Sequence, residues 1–359
     1  MHKGKSLNEL AQELTDRQNR KSDFVVDTQE LYMGPDAQSL MAQRSNSTLA
    51  TRTTDHAHGQ IATWSGIPKK YYDKAMASDP ALLALNVNHW FRRQEKPVKR
   101  MIRTMDGTFR AFLSDSYRRV DNEQVAQAAL EPMLRMQASN ELQVLSCDVT
   151  DRRLYIQAAF PKLEGEPRVN DPVQAGVIIS NSEIGAGALE VRPILYRLVC
   201  MNGMVIPKDI DTDQLRRSHV GRRVEATEDY SIYRDETLEA DDRALMLKIR
   251  DTIEALTDRS KFERVIAEMK RAAESDPVKN PHKAVEEVTG LLQLPDTRQG
   301  PILEQLIRGG DYSQWGMANA ITAQAHSEND YDEAVEFERL GGRIITLDPQ
   351  AWSRVAEAA

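Results

Sequence analysis

The stretch VKRMIRTMDGTFRAFLS, Val98 to Ser114, holds two short runs rich in apolar residues on either side of Asp106 and Gly107. Asp-Gly is a favoured pair for a two-residue hairpin turn, because both turn positions need a positive φ. The stretch therefore predicts a β-hairpin. This hairpin decides the fold class, because the segments that follow it continue the same pattern of strands.

Those segments predict one helix and further strands. Asp121 or Asn122 lies where an N-cap is expected, and EQVAQAALEPMLRMQA, from Glu123, has helical spacing with a possible kink at Pro132. QVLSCDVT and LYIQAAF predict a second hairpin across DRR, and VQAGVIISNS and LEVRPILYRLVC predict two more strands. Short turns without helical crossovers indicate an antiparallel sheet with the helix on one face.

The predicted fold class is α+β: a central antiparallel sheet with β-hairpins and a packed helix, flanked by N-terminal helices and a helical C-terminal portion. A mainly helical region is expected over 1–95, the sheet core over 96–210, a basic-to-acidic connection over 211–236 and acidic helices over 237–359. In the last region the spacing predicts a break between two helices near Asp258.

Gly185 and Gly187, in NSEIGAGAL after the apolar run AGVIIS, raise the possibility of a phosphate-binding loop. A dinucleotide-binding loop needs a strand, a glycine turn and a helix in that order. Here the next segment reads as another strand and contains Pro193, and Glu190 replaces the third glycine. The sequence therefore predicts a turn between two strands.

Charge is unevenly distributed along the 359 residues. The net charge of −8 divides into +1 over residues 1–230, with 31 Lys/Arg against 30 Asp/Glu, and −9 over 231–359, with 16 against 25. The densest basic cluster is WFRRQEKPVKRMIR, which includes the start of the predicted hairpin. Basic clusters beside aromatic residues are typical of nucleic-acid-binding surfaces.

Strand alternation predicts which hairpin side chains line a basic groove. It predicts Phe109, Ala111 and Leu113 on one face and Arg110 with Phe112 on the other. Basic residues that hold phosphates and aromatic residues that stack on bases are the elements of a single-strand-binding surface. The candidate phosphate contacts are Arg92, Arg93, Lys99, Arg100, Arg103, Arg110, Arg118, Arg119, Arg152 and Arg153, and the candidate stacking residues are Phe112, Tyr117 and Tyr155.

Two other interpretations remain open. The first is a metal-dependent enzyme that processes nucleic acid, using Asp55, His56 and His58 of DHAHG, or Glu183. An exposed loop is nevertheless the preferred interpretation of DHAHG. The basic residues could instead pair with the acidic C-terminal helices, which could also bind a host protein. No catalytic residue, metal ligand or cofactor is assigned under the leading interpretation.

Composition limits the location. No apolar run reaches the roughly 20 residues of a membrane-spanning helix, and the N-terminus lacks a secretory signal pattern, so a cytoplasmic protein without a membrane partner is expected. The two cysteines, Cys147 and Cys200, lie in strand-like apolar segments and are expected to be small core residues in a reducing compartment.

Four blocks carry a resemblance to a known family: LSDSYRRVDN, NSEIGAGAL, LYRLVCMNGMV and YSQWGMANAITAQAH. In this order they resemble a phage- and plasmid-associated family catalogued as domain of unknown function 932, over about residues 100–345. The resemblance implies a mobile-element origin and supplies no catalytic residues.

The predicted architecture alone is similar to that of phage single-strand annealing recombinases. That similarity implies binding and annealing of single-stranded DNA during recombination or replication. It further implies a non-catalytic homo-oligomer that forms a ring or filament.

Overall fold

The computed structural model describes residues 4–42, 47–93, 98–210, 212–219 and 235–358. The protein is α+β, as predicted, and its strands are antiparallel with the exception of one short parallel pair. Among the described residues, no helix is both long and apolar enough to cross a lipid bilayer.

The predicted hairpin at Asp106 and Gly107 is confirmed. Both residues have positive φ, 51° and 71°, as a two-residue hairpin turn requires. The hairpin forms the centre of a four-stranded sheet in the order β1-β6-β7-β5. Its strands are β1 (Lys21–Asp27), β5 (Arg52–Thr53), β6 (Lys99–Met105) and β7 (Thr108–Ser114).

A β-bulge at Arg110 changes which side chains share a face of β7. Arg103 lies opposite Ala111 while the next residue, Thr104, lies opposite Phe109, so Arg110 is an extra residue in β7. An extra residue reverses the alternation beyond it. The predicted separation of Phe109 from Phe112 is therefore wrong: both pack into the same hydrophobic cluster.

Three helices and the short strands of the N-terminal region cover this face of the hairpin, whereas the first helix buries Leu10 and Leu14 in the main core. The region was predicted to be mainly helical, and the structure adds β1, β5 and a small sheet in the order β2-β3-β4. Strands β2 to β5 were missed because runs of two to four residues carry little periodicity. The seven-residue β1 was missed because its apolar residues, Phe24 to Val26, are consecutive and do not alternate with polar ones. The elements are α1 (Leu7–Arg20), β2 (Leu31–Met33), β3 (Leu40–Ala42), β4 (Ser47–Ala50), α2 (Asp55–Ser65), α3 (Lys69–Ser78) and α4 (Pro80–Arg92).

The four remaining predicted strands form a second sheet with two short strands that were not predicted, and this six-stranded sheet is separate from the one that contains the hairpin. The order is β12-β11-β10-β9-β8, and β13 pairs with β11. Its strands are β8 (Gln143–Val149), β9 (Leu154–Arg168), β10 (Asp171–Asn181), β11 (Leu189–Arg197), β12 (Asn202–Val205) and β13 (Leu215–Arg217).

The predicted helix is α5 (Asn122–Ala138), which begins directly after Asp121 and contains Pro132. It buries Val125 and Met133 in the main core, where they share a cluster with Cys147 on the six-stranded sheet. Cys147 is thus a core residue, as expected. Cys200 is exposed, contrary to expectation, because it lies in the turn between β11 and β12, and both thiols are free.

The C-terminal region is helical, and the predicted break near Asp258 is confirmed because α6 ends at Ala255 and α7 begins at Arg259. Much of the predicted connection over 211–236, including Arg222 and Arg223, lies outside the described residues. The helices are α6 (Asp235–Ala255), α7 (Arg259–Ala273), α8 (Pro281–Leu291), α9 (Gln299–Gly309), α10 (Gln314–Thr322), α11 (Tyr331–Ile345) and α12 (Pro349–Ala356).

Candidate nucleic-acid interface

The glycine-containing segment 182–188 is a turn between the antiparallel strands β10 and β11, as predicted. Gly185 has a φ of 77°, and a Cβ at this position would lie 3.0 Å from the side chain of Leu113. The segment packs against the hairpin: the carbonyl of Ile184 accepts hydrogen bonds from Gln60 and contacts the imidazole of His56. It therefore connects the two sheets.

Glu183 lies at the centre of a buried ionic network at this connection. Its carboxylate pairs with Lys21, lies 3.5 Å from the guanidinium of Arg110 and accepts the backbone N–H of Asn122 at 2.8 Å. Its backbone carbonyl accepts a hydrogen bond from Arg103 at 2.9 Å. A buried carboxylate needs such partners, because desolvating an unpaired charge is costly.

Arg103, one of the predicted phosphate contacts, makes the hydrogen bonds of its guanidinium within this network. Its guanidinium bonds to Asp121 at 2.7 Å and to Asp23 at 3.0 Å. Burial alone would lower the pKa of Arg103, but the charges of Asp121 and Asp23 raise it above its ordinary value. The reverse holds for Asp121, where burial would raise the pKa and the charge of Arg103 lowers it. These side chains stabilise the junction and are not available at the surface.

Two blocks of the motif resemblance meet at this network. Asn181, in NSEIGAGAL, donates from its side-chain amide to the side-chain oxygen of Asn122 at 2.8 Å and to the carbonyl of Val120 at 2.9 Å. Asn122 and Val120 belong to LSDSYRRVDN. The blocks that carry the resemblance therefore include residues that hold the two sheets together.

The predicted stacking residues do not offer exposed aromatic faces. Phe112, Tyr117 and Tyr155 are all buried. Tyr117 stacks on a neighbouring histidine ring and donates to a backbone carbonyl, and Tyr155 stacks on Tyr331 with a centroid distance of 5.1 Å. Tyr155 lies on the face of the six-stranded sheet opposite the main core, and α11 covers that face through Tyr331 and Val335.

Three further arginines that were predicted to contact phosphates bind other groups of the protein instead. Arg118 pairs with Asp241 and Asp242 at the start of α6, as expected if basic residues bind the acidic helices. Arg110 is buried, and this burial lowers its pKa while the charge of Glu183 opposes the shift. Arg153 donates to the carbonyl of Ala186 at 3.2 Å.

The surface residues of the predicted set lie mainly around α4 and the start of the hairpin. Arg92 and Arg93 are exposed at the end of α4, where their guanidiniums lie 5.9 Å from the rings of Tyr32 and Trp90, respectively. Lys99 is exposed at the first position of β6. Arg119, in the segment between β7 and α5, is largely exposed and lies 3.5 Å from Asp23 on β1.

An open cleft of about 700 Å³ lies between α2 and the hairpin. Three basic residues line it, Lys69, Arg100 and Arg152, together with a single acidic residue, Asp55. Lys69 pairs with a neighbouring aspartate on α3. Within the described ranges, neither Arg100 nor Arg152 has a carboxylate at ion-pair distance, whereas Lys69 has one.

Aromatic rings fix the position of Arg100 in this cleft. Its guanidinium lies 5.3 Å from the ring centroid of Phe112 and 5.6 Å from that of Trp64. Burial lowers the pKa of Arg100, and the charge of Asp115 opposes this effect. An arginine stays charged at neutral pH even so. The cleft thus contains a pre-positioned cation.

The sequence DHAHG is helical, which corrects the expectation of an exposed loop. The side chain of Thr54 accepts the N–H of Ala57 at 3.2 Å and so caps α2. His58 is buried and its Nδ1 lies 2.8 Å from the hydroxyl of Tyr72; burial lowers the pKa of His58 to about 4. In the part of the chain that the structure describes, no group of three or more His, Cys, Asp or Glu side chains is arranged to hold a metal ion.

Two residues of the cleft were missed at the sequence level. Trp64 has no charged residue beside it in the sequence, and only the folded structure shows that its ring contacts Arg100. Gln60 accepts the N–H of Phe112 at 2.7 Å and thereby joins α2 to β7. No local pattern signals either role, because both depend on contacts between distant segments.

These features define an α+β protein in which a basic cleft lies beside a buried ionic junction between two sheets. A family model described as Domain of unknown function (DUF932) matches residues 111–339, more than half of the chain. The chain therefore belongs to this family, and the four motif blocks all lie within the match. No curated protein and no solved structure matches the chain. The similarity to annealing recombinases stays a prediction.

Proposed function

We propose that the protein binds single-stranded nucleic acid in the cleft between α2 and the β6–β7 hairpin. The observation that carries this proposal is that Arg100 and Arg152 are not paired with carboxylates. Both line the cleft and, within the described part of the chain, have no carboxylate partner, whereas Arg103 and Arg118 are held in ion pairs. Unpaired guanidiniums in a cleft favour an anionic ligand.

The form of the cleft supports a strand backbone as that ligand. A guanidinium presents N–H donors at its edge, and these fit phosphate oxygens. Because the faces of Arg100 are held by Phe112 and Trp64, little side-chain entropy remains to be lost on binding. The basic residues that line the cleft are therefore Lys69, Arg100 and Arg152, whereas Lys99 is exposed on the opposite face of β6.

The biological role follows from the family resemblance and the recombinase analogy. We infer a non-catalytic protein of a phage or other mobile element that acts on single-stranded DNA in recombination or replication. It would work in the cytoplasm of the bacterial host. Backbone binding by basic residues suits strand annealing, because it leaves bases free to pair.

The test measures the affinity of the protein for labelled single-stranded and duplex oligonucleotides by fluorescence anisotropy, at salt concentrations between 50 and 200 mM. Each phosphate contact on a single strand contributes about −0.7 to the slope of log K against log salt. Replacing Arg100 by Met and Arg152 by Ala should therefore reduce the slope by about 1.4 and weaken binding by about tenfold or more per residue.

The control is the double variant Lys279→Ala and Arg308→Ala, which removes two exposed positive charges from the helical C-terminal region. It should bind like the wild-type protein. Equal losses in both double variants would mean a nonspecific charge effect and contradict the cleft as the site. Absence of wild-type binding at 50 mM salt would contradict the proposed function.

A further inference from the structure

Three arginines surround a single glutamate on the six-stranded sheet, and none of them lines the cleft. Glu190 on β11 accepts hydrogen bonds from Arg216 on β13 at 3.2 Å and from Arg339 on α11 at 2.8 Å. Arg192 lies two positions beyond Glu190 on β11, so both side chains project from the same face of the strand. One carboxylate for three guanidiniums leaves an excess charge of +2.

Other charges on α11, the helix that covers this face, do not remove the excess. Its carboxylates that point toward the sheet have other partners: Asp332 accepts a tyrosine hydroxyl at 2.7 Å, and Glu338 accepts a glutamine amide at 2.6 Å. The exposed residues one turn before and one turn after Arg339 are Glu336 and Arg343, whose charges cancel. Among the described residues, the three arginines therefore share only one carboxylate.

Arg192 is the least satisfied of the three. Its guanidinium donates to the carbonyl of Ile206 at 2.8 Å, and within the described ranges no carboxylate lies at ion-pair distance from it. The Nε atoms of Arg192 and Arg339 are buried and have no hydrogen-bond acceptor in the described structure. Burial lowers the pKa of Arg192; the charge of Glu190 opposes this effect, and those of the other two arginines add to it. Buried donors and like charges of this kind are stabilised by a bound anion.

The arrangement is open to solvent on the side of β13. The side chain of Arg216 is 52% exposed and that of Arg339 is 21% exposed, whereas Glu190 is 11% exposed. A guanidinium presents a fork of N–H donors that matches phosphate oxygens. A phosphate monoester carries a charge of about −1.5 to −2 at pH 7 and so balances the excess, while a phosphodiester carries only one negative charge.

We propose that Arg192, Arg216 and Arg339 form a binding site for a phosphate monoester, with Glu190 holding two of the three guanidiniums in position. The terminal phosphate of a nucleic-acid strand and the phosphate of a free mononucleotide share this chemistry. The inference does not depend on nucleic-acid binding in the cleft, because no residue is common to the two sites.

The experiment is isothermal titration calorimetry of the full chain with inorganic phosphate, at constant ionic strength and about pH 7.5, where the ligand is mainly a dianion. We expect Arg216→Ala and Arg192→Met each to weaken phosphate binding about tenfold or more, because each removes charged hydrogen-bond donors. Arg216→Ala leaves the pair between Glu190 and Arg339 intact, so this variant should fold like the wild-type protein.

Two controls locate the effect. Arg168→Ala removes an arginine of similar exposure, 54%, that also pairs with one carboxylate, and should bind phosphate like the wild-type protein. The cleft variant with Arg100→Met and Arg152→Ala should also keep its affinity for phosphate. Phosphate binding that is lost in the cleft variant and retained in Arg216→Ala overturns the inference and assigns the anion to the cleft. A wild-type protein that does not bind phosphate overturns it as well.

Labelled oligonucleotides of one sequence, with a 5′-phosphate or a 5′-hydroxyl, and a nucleoside monophosphate distinguish the sources of the monoester. Tighter binding of the phosphorylated strand, abolished by Arg216→Ala, supports a strand end as the ligand. Equal binding of the two strands, together with mononucleotide binding that Arg216→Ala abolishes, supports a free nucleotide. If Arg216→Ala changes neither the preference for the phosphorylated strand nor mononucleotide binding, the monoester site is overturned.

Discussion

Glu338 on α11 should make the stability of the protein depend on pH. Its carboxylate is buried, accepts a hydrogen bond from the side-chain amide of Gln157 at 2.6 Å, and would lie 3.0 Å from a Cβ added at Gly203. In the described ranges, no basic side chain lies at ion-pair distance from it; the adjacent Arg339 pairs with Glu190 instead. Burial therefore raises the pKa of Glu338 from 4.5 to about 7.

The sign of the effect follows from proton binding. Between pH 4.5 and about 7 the folded protein holds a proton on Glu338 that the unfolded chain has released. The contribution to stability is therefore full below pH 4.5 and is lost as pH rises to about 7. Each pKa unit corresponds to about 1.4 kcal/mol, so the folded protein should lose about 3 kcal/mol over this range.

Glu338→Gln removes this ionisation and keeps the size of the side chain. We expect the variant to unfold at nearly the same urea concentration as the wild-type protein at pH 5 and to be about 2–3 kcal/mol more stable at pH 8. Glu304→Gln, on the exposed side of α9, is the control and should show no such divergence. If Glu338→Gln is equally destabilised at both pH values, the carboxylate is ionised in the folded protein and the reasoning is refuted.

Two further substitutions test the junction between the sheets. Arg103→Met leaves the carboxylates of Asp23 and Asp121 without their cation and should lower the free energy of unfolding, measured with urea, by about 3–5 kcal/mol. Arg119→Met, at a largely exposed arginine, is the control and should lower it by less than about 1 kcal/mol. Similar losses in both variants would contradict a structural role for Arg103. Gly185→Ala imposes a side chain on a backbone with φ of 77° and should lower the free energy of unfolding by about 1–2 kcal/mol. Gly300→Ala, in a helix with open space around it, should be neutral or stabilising, and a destabilisation equal to that of Gly185→Ala would refute the strain argument.

Local sequence patterns were sufficient for the elements that depend on neighbouring residues. The hairpin at Asp106, the start of α5 after Asp121 and the break at Asp258 all follow from turn and capping preferences within a few residues. The turn at Gly185 was predicted in the same way, from the strand-like sequence after it. Such preferences act within a segment and are therefore visible in one sequence.

Tertiary structure decided which basic residues remain at the surface. Arg103 and Arg100 lie three positions apart on β6, so alternation places them on opposite faces of the strand, but the sequence does not show what covers each face. Carboxylates from β1 and from the residue before α5 enclose Arg103, while Arg100 rests on aromatic rings beside an open cleft. The bulge at Arg110 and the cover that α11 places over Tyr155 likewise arise from contacts between distant segments. The sequence by itself determined the α+β class, the hairpin at Asp106, the start of α5 and the helix break at Asp258. Only the folded chain determined the cleft, because burial and ion pairing depend on residues that lie far apart in sequence.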